Sequence, residues 1–398
     1  MHRPENDTAT RFQPKKLSEE AARALSSILR KGSYASTVKL PQPGGRRWFT
    51  EPIRIANFMV GGINCWKQTS WPGFYNRLLQ LQGGPKPLIL FDLFFLQREV
   101  DKARFEAVAT ADELKLLDEA TVLYHSNGAL RSHVRCYPIA GMNLLFDPSR
   151  ELDDFVYLGW DSHLMVYIVA KYRAGRRFQR ALDLCTGSGI QGLSVARHSD
   201  ETVCADINPR AVAMVQANAR LNELRNVRAV HSDLFSEVSG RFDCITANTP
   251  YVPRPPGGEL PIGGGDIGIE FTMRLLGEIP DKLTKDGFAI VYTSDPIVHG
   301  KRRLMAHVKN ALGHHPMRIV QIPLFTTNYP MSKPLRDHYD RLGLSGYDDC
   351  ILVIEASNKY ETERHQWDGI HYYRTRIDAW LDWRRRRFSH AVVPQSPT

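Results

Sequence analysis

The stretch Ala181-Leu182-Asp183-Leu184-Cys185-Thr186-Gly187-Ser188-Gly189-Ile190-Gln191-Gly192 runs an apolar strand into glycines and then into a helix. Glycines let backbone approach a ligand closely. Gly187, Gly189 and Gly192 satisfy G-x-G-x-x-G, the pattern of dinucleotide-binding turns. Asp183 argues for a different ligand. A carboxylate just ahead of the loop is expected to face the ligand with negative charge, which suits a cation and repels a pyrophosphate. Asp206 closes the next strand about twenty residues on, where an acidic side chain accepts hydrogen bonds from ribose hydroxyls. Ile207 is expected against an adenine face, with Asn208 following it. Ser232-Asp233-Leu234 ends the third strand, where a polar side chain meets an adenine amino group.

Together these residues suit S-adenosylmethionine, which joins an amino acid, a sulfonium, a ribose and an adenine without phosphate. Asp183 to Gly189, Asp206 and Asp233 resemble the motifs of class I S-adenosylmethionine-dependent methyltransferases over roughly residues 155–300. The resemblance implies that Thr186, Gly187, Ser188 and Gly189 line the cofactor, with Asp206, Ile207, Asn208, Ser232, Asp233 and Leu234 along its nucleoside. Cys185 departs from the pattern, since many relatives carry glycine there. Asp161, in Gly159-Trp160-Asp161-Ser162-His163, either binds the cofactor's ammonium or caps a helix. The sequence leaves both open.

Phe242-Asp243-Cys244-Ile245-Thr246-Ala247-Asn248-Thr249-Pro250-Tyr251 closes the fourth strand. It resembles the N-P-P-Y loop of methyltransferases that modify nitrogen on planar groups, among them the release-factor glutamine methyltransferases and the adenine and guanine N-methyltransferases. A conjugated nitrogen is a poor nucleophile because its lone pair is delocalised. Acceptors that take its N–H groups pull it out of conjugation. Asn248, with a neighbouring backbone carbonyl, is the expected acceptor, and it also borders the cofactor. Pro250 shapes the loop, and Tyr251 stacks on the planar substrate. Thr249 replaces the first proline and leaves φ less fixed. Gly263-Gly264-Gly265-Asp266-Ile267-Gly268 resembles the glycine-rich segment that follows this loop in the glutamine methyltransferases. For Asp266 and Glu270 a helix cap or a solvated acid is favoured over substrate orientation. Residues 254–260 are expected to close over the substrate.

These residues need a frame. Apolar strands at 181–185, 202–205, 227–230, 244–247, 288–292, 319–323 and 350–355 alternate with helical segments, including 190–197 and 209–221. Such alternation predicts an α/β fold, a Rossmann-like doubly wound sheet of seven strands with ligands at its carboxyl edge. Ahead of it, helices are expected at 17–29, 71–81, 88–97 and 112–117. A hairpin of 121–125 and 129–137 turns at Asn127-Gly128, with a third strand at 141–146. This N-terminal α+β part looks winged-helix-like, and a lid, docking or dimerisation role is favoured. The expected domains are a basic segment with a helix (1–50), the N-terminal domain (51–150), the methyltransferase domain (151–358), and an amphipathic helix at 369–388 with a tail (359–398).

The 398 residues predict two or three domains at about 150 residues each. A chain with 42% hydrophobic and 24% charged residues is globular. The longest apolar run, 87–96, contains Asp92 and reaches only about half of the ~20 residues a membrane span needs. Residues 1–16 lack an apolar core for export, so a cytoplasmic protein away from membranes is expected. Six scattered cysteines without C-x-x-C predict reduced thiols and no zinc site. No metal is expected, and His314 and His315 read as surface residues. The net charge of +9 gathers at the chain ends, including Arg384 to Arg387, and reads as solvated tails. The favoured reading is N-methylation of a protein side-chain amide or a planar small molecule. Methylation of an RNA or DNA base is the alternative, and a non-catalytic binding module the third. The oligomeric state stays open, with a homodimer among the options.

Overall fold

The computed structural model describes residues 11–35, 85–149, 153–253, 263–313, 315–328 and 333–365. The expected helices at 71–81 and 369–388, the loop at 254–260, Cys65, His314 and the arginine run lie outside the described residues. A 3-10 turn at Pro14–Lys16 leads into helix α1 (Glu19–Lys31), where the Ser18 side chain accepts from Ala21 N. Leu17, Ala21, Leu25 and Leu29, one helical face, are all buried. Helix α2 (Pro85–Leu90) continues through a π turn at Phe91–Phe95. Strand β1 (Val100–Asp101), helix α3 (Lys102–Phe105) and helix α4 (Ala111–Glu119) follow. Thr110 and Glu113 close a capping box on α4.

The four strands that follow correct the hairpin expectation. Strands β2 (Leu123–Ser126) and β3 (Ala129–Ser132) pair across Asn127-Gly128, with β1 on the far side of β3. Strands β4 (Arg135–Ile139) and β5 (Met142–Phe146) form a second, separate hairpin across Ala140-Gly141. Both turns have positive φ at both central residues: 51° and 80° at Asn127-Gly128, 50° and 74° at Ala140-Gly141. That is the hairpin geometry that matches strand twist. The expected strand 129–137 breaks because the Ser132 hydroxyl folds back on its own chain, 2.6 Å from Val134 O. Strands β1, β3 and β2 form one three-stranded antiparallel sheet with α3 and α4 between β1 and β2, and the β4–β5 hairpin lies apart from it.

The body begins with helix α5 (Trp160–Arg173), strand β6 (Phe178–Leu184), helix α6 (Ile190–Ala196), strand β7 (Ser199–Asp206) and helix α7 (Pro209–Leu221). Strands β8 (Val227–His231) and β9 (Phe242–Asn248), helix α8 (Glu270–Lys282) and strand β10 (Leu283–Val298) come next. Strand β11 (Lys301–Arg302), helix α9 (Leu304–Ala311), strand β12 (Met317–Asn328), helix α10 (Lys333–Leu342) and strands β13 (Leu344–Ala356) and β14 (Glu361–Arg364) complete it. The sheet order is β14-β12-β13-β10-β9-β6-β7-β8, with β11 on β10. All seven expected strands are present, and β11 and β14 make nine. Strand β14 carries the sheet past residue 358. Only β13 and the short β11 run antiparallel to their neighbours. Strand order reverses at β6, which lies between β9 and β7, so the ligand crevice opens at their carboxyl ends.

Side chains alternate across the pleat. Ile290 and Tyr292 pack with Leu164, Met165 and Ile168 of α5, while Ala289 and Val291 pack with Leu275 and Ile279 of α8. A third cluster joins Leu25 and Ile28 of α1, Phe91, Leu117 and Leu144 to Ile190, Leu193, Met214 and Ala217 of α6 and α7. The N-terminal elements thus share a core with the sheet's own helices. Two asparagines one turn apart on α7 read the backbone of β5. Asn218 Nδ2 and Oδ1 bond Leu145 O and N at 3.0 and 2.7 Å, and Asn222 does the same to Asn143 at 2.8 and 2.9 Å. The β5 edge is satisfied as if by another strand.

Candidate active site

The glycine loop joins β6 to α6 through three positive-φ positions at alternate residues. Gly187 and Gly189 have φ of 53° and 85°, and Gly189 caps α6 in the left-handed region. Cys185 also has φ of 52°, a conformation that costs a non-glycine residue about 1–2 kcal/mol. Its backbone is the one glycine would adopt freely. Gly192 answers a packing demand, because a Cβ there would sit 2.4 Å from Cys204 Sγ on β7.

Asp183 does not face a ligand directly, and the expectation that it would is corrected. It is 0% exposed. Its Oδ2 accepts from Thr186 Oγ1 at 2.6 Å and Gly192 N at 3.0 Å, and its Oδ1 from Thr246 Oγ1 at 2.8 Å. The carboxylate ties β6, the loop, α6 and β9 together. Burial pushes its pKa up to about 6, against those three hydrogen bonds. The folded state therefore holds a proton that the unfolded chain has lost between pH 3.8 and about 6. Stability falls as pH rises through that window, by roughly 3 kcal/mol at 1.36 kcal/mol per unit. Asp183→Asn should abolish this component. Denaturant titrations at pH 4 and pH 7 check it: wild type loses more stability than the variant between the two.

At the end of β7, Asp206 Oδ2 accepts from Gly187 N and Oδ1 from Asn208 N, both at 2.9 Å. A carboxylate has about four acceptor positions, so ribose hydroxyls can be taken as well. Burial raises the Asp206 carboxyl above its usual range. Ile207 is 53% exposed, the one large apolar side chain standing open among the described residues. An adenine face would cover it. Asn208 is a helix cap: Oδ1 accepts from Arg210 N and Nδ2 donates to Asp154 O, both at 2.9 Å. Its side chain is spent on structure, contrary to the expectation. The Ser232 hydroxyl likewise serves its own turn, donating to Leu234 O at 2.8 Å and accepting from Glu237 N at 3.0 Å. Leu234 is buried in the core and offers only backbone. Asp233 remains at the surface, 2.6 Å from Arg274.

The N-T-P-Y loop leaves the end of β9 beside the reversal point. Asn248 Nδ2 donates to Asp161 Oδ2 at 2.8 Å. Asn248 Oδ1 is buried and has no hydrogen-bond partner among the described residues. Asp161 sits in the first turn of α5, whose N-cap is Gly159, so the capping alternative is excluded. Thr249 replaces the stiffness of proline with hydrogen bonds. Its N–H and Oγ1 both donate to Tyr292 O, at 3.2 and 2.8 Å. Its Oγ1 also meets Thr272 Oγ1, which meets Thr293 Oγ1, in a buried hydroxyl chain. The Tyr251 ring lies 5.0 Å from Tyr292 and 6.3 Å from Tyr347, and Ser294 Oγ donates to Tyr251 O at 2.8 Å.

Tyr292 OH donates to Asp349 Oδ1 at 3.1 Å. Burial, reinforced by the Asp349 and Asp161 carboxylates, pushes the Tyr251 phenol well above its usual range, so it is no base near neutrality. Thr272, Tyr292, Ser294 and Asp349 were not legible as site residues. The one available signal was that 288–292 is the next expected strand along the chain after 244–247.

The glycine-rich segment packs on this loop. Gly264 N donates to Val252 O at 3.0 Å, and a Cβ on Gly264 would meet Pro250 O at 2.8 Å. Glu270 accepts from Ile267 N and Ile269 N, a cap on the start of α8, while Asp266 is exposed.

Strand order and the glycine loop together give a Rossmann-like doubly wound α/β architecture, with the N-T-P-Y loop at the edge of its ligand crevice. Residues 161–255 match the family model of the methyltransferase small domain, from α5 through the N-T-P-Y loop. The chain is similar to a ribosomal protein uL3 glutamine methyltransferase of Xanthomonas campestris, 31% identical over 31% of this chain and 45% of that protein. It is similar to release factor glutamine methyltransferases of Borreliella burgdorferi (30% identical, 29% of this chain and 44% of the relative) and Clostridium acetobutylicum (29% identical, 33% and 52%). The chain thus spans about half the length of these curated relatives. No helix among the described residues is long and apolar enough to cross a membrane.

Proposed function

We propose that the protein is an S-adenosylmethionine-dependent N-methyltransferase acting on a protein side-chain amide, that of glutamine. The observation that carries this reading is the Asn248 amide, turned so that its buried oxygen has no partner among the described residues. A buried acceptor left unmade costs about 1–3 kcal/mol, and a substrate N–H would satisfy it. The relatives named as glutamine methyltransferases support this acceptor. The walls support a neutral group as well, since the Asp161 and Asp349 carboxylates both act on Tyr251. A phosphate would be repelled there.

The residues fit the cofactor. Asp206 has acceptor capacity for ribose, Ile207 an open apolar face for adenine, and Gly187 a backbone without Cβ for close approach. When bound, the cofactor supplies an electrophilic methyl group on a sulfonium. The chain's residues then orient and exclude. Asn248 takes one N–H of the amide and turns the nitrogen lone pair out of conjugation. Tyr251 holds the amide plane. Asp206, Ile207 and the Gly187 backbone would hold the cofactor, which would supply its methyl group to the nitrogen and keep the electron pair of the broken C–S bond on sulfur, the nitrogen's proton passing to water. Positioning does most of this work. We place the reaction in the cytoplasm, where ribosomal proteins and release factors function.

The test is to incubate purified protein with isotope-labelled cofactor and ribosomal or release-factor preparations, then map the label by mass spectrometry. A methyl group on a glutamine side chain is expected. Label on RNA, with turnover falling steeply as salt rises, would replace this reading with the nucleic-acid one. In calorimetry, Asp206→Ala should weaken S-adenosylhomocysteine binding by about 1–3 kcal/mol, through loss of charge-assisted bonds to ribose. Unchanged affinity would contradict that role.

A further inference from the structure

We propose that Asp161 is a positioning residue that sets which way the Asn248 amide is turned, and so which atom meets the substrate. This inference deepens the reading of the site above and rests on it. An asparagine amide presents either an acceptor oxygen or a donor nitrogen, and only the oxygen can take an N–H. Nothing in the Asn248 backbone chooses between them. Asp161 chooses. Its Oδ2 lies 2.8 Å from Asn248 Nδ2, and Asp161 is only 5% exposed.

An ionised carboxylate has no proton to donate. The reversed amide would set oxygen against oxygen with no hydrogen between them. The carboxylate therefore holds the nitrogen toward α5 and leaves Oδ1, buried and without a partner among the described residues, for a substrate N–H. A charged acceptor on Nδ2 also polarises the amide and strengthens Oδ1 as an acceptor. Asp161 is held for this task by α5, whose Leu164, Met165 and Ile168 pack against the sheet close behind it. The sequence separation of the pair is 87 residues, which joins the start of α5 to the end of β9.

Two variants separate positioning from direct binding of the cofactor's ammonium. Asp161→Ala removes the acceptor and should lower kcat on a purified glutamine-bearing acceptor protein about ten- to a hundredfold. Its calorimetric Kd for S-adenosylhomocysteine should stay within a few-fold. Asp161→Asn can offer either oxygen or NH2 to the Asn248 amide and so no longer fixes its orientation, and kcat should fall between wild type and the alanine variant. An ammonium ligand behaves differently: both variants would raise Kd tenfold or more, with kcat unchanged at saturating cofactor, and that result overturns the proposal.

Selective 15N-asparagine labelling reads the amide without any acceptor protein. The Asn248 side-chain NH2 should show one proton shifted and protected from exchange in wild type. That signature should collapse in Asp161→Ala, and its persistence there also overturns the proposal. A wild type that carries the signature yet methylates no glutamine would fail the functional reading and leave the positioning role standing.

Discussion

Asn248→Ala should lower turnover about a hundredfold or more, the scale seen when one positioned transition-state partner is lost. Cofactor affinity should stay within a few-fold. The split follows from geometry. The amide oxygen that alanine removes has no partner among the described residues, so no protein hydrogen bond to it is broken. What remains behind is Asp161, which loses the Asn248 donor. That loss is a ground-state cost, present with or without substrate, and it appears as reduced stability. The missing acceptor matters only where substrate nitrogen leaves conjugation, so kcat carries the effect rather than KM. Tyr251→Ala should act partly through substrate affinity, since its ring offers a surface to ground state and transition state alike. Single-turnover methylation beside calorimetric cofactor binding checks each variant. Near-wild-type turnover in Asn248→Ala would make the loop structural and move the acceptor chemistry elsewhere.

Asp147→Ala should destabilise the protein by about 3–5 kcal/mol, the cost of breaking a buried ion pair from one side. Asp147 follows β5, and its side chain is 5% exposed against 8% for Arg210 at the start of α7. The guanidinium is bidentate on the carboxylate, with Nε at 2.9 Å, and its Nη1 donates to Phe12 O at 3.0 Å. Asp147 Oδ2 also accepts from Val156 N at 2.7 Å. One carboxylate thus joins the N-terminal segment, the second hairpin, the approach to α5 and α7. Without it a guanidinium stays buried and uncompensated. Urea denaturation gives the measurement. A loss under 1 kcal/mol would show that the pair is exchanged for water at little cost. Asp147→Asn, which keeps acceptor oxygen for Val156 N, should lose less than the alanine variant.

Much of this molecule is local and therefore legible. Strand and helix alternation, the glycines between β6 and α6, the Asn127-Gly128 turn and the position of Asn248 at a strand end follow from periodicity and from backbone chemistry within a few residues. The split of 129–137 into two strands was less legible, because it depends on how Ser132 spends its hydroxyl. The merging of the N-terminal elements with α6 and α7 depends on which apolar faces meet, and periodicity reports that a face exists without naming its partner. The polar atoms of the site were hidden most of all. Asp183 reads as a ligand-facing acid until Thr186, Thr246 and Gly192 are seen to consume it. Thr249 reads as a weakened loop until Tyr292 O is found beneath it. Asp161 and Asn248 are 87 residues apart, and their bond exists only because α5 packs on the face of the sheet that brings it to the end of β9. A hydrogen bond needs its two atoms within about 3 Å and aligned, and over such separations chain order does not set that distance; the packing of helices on the sheet does.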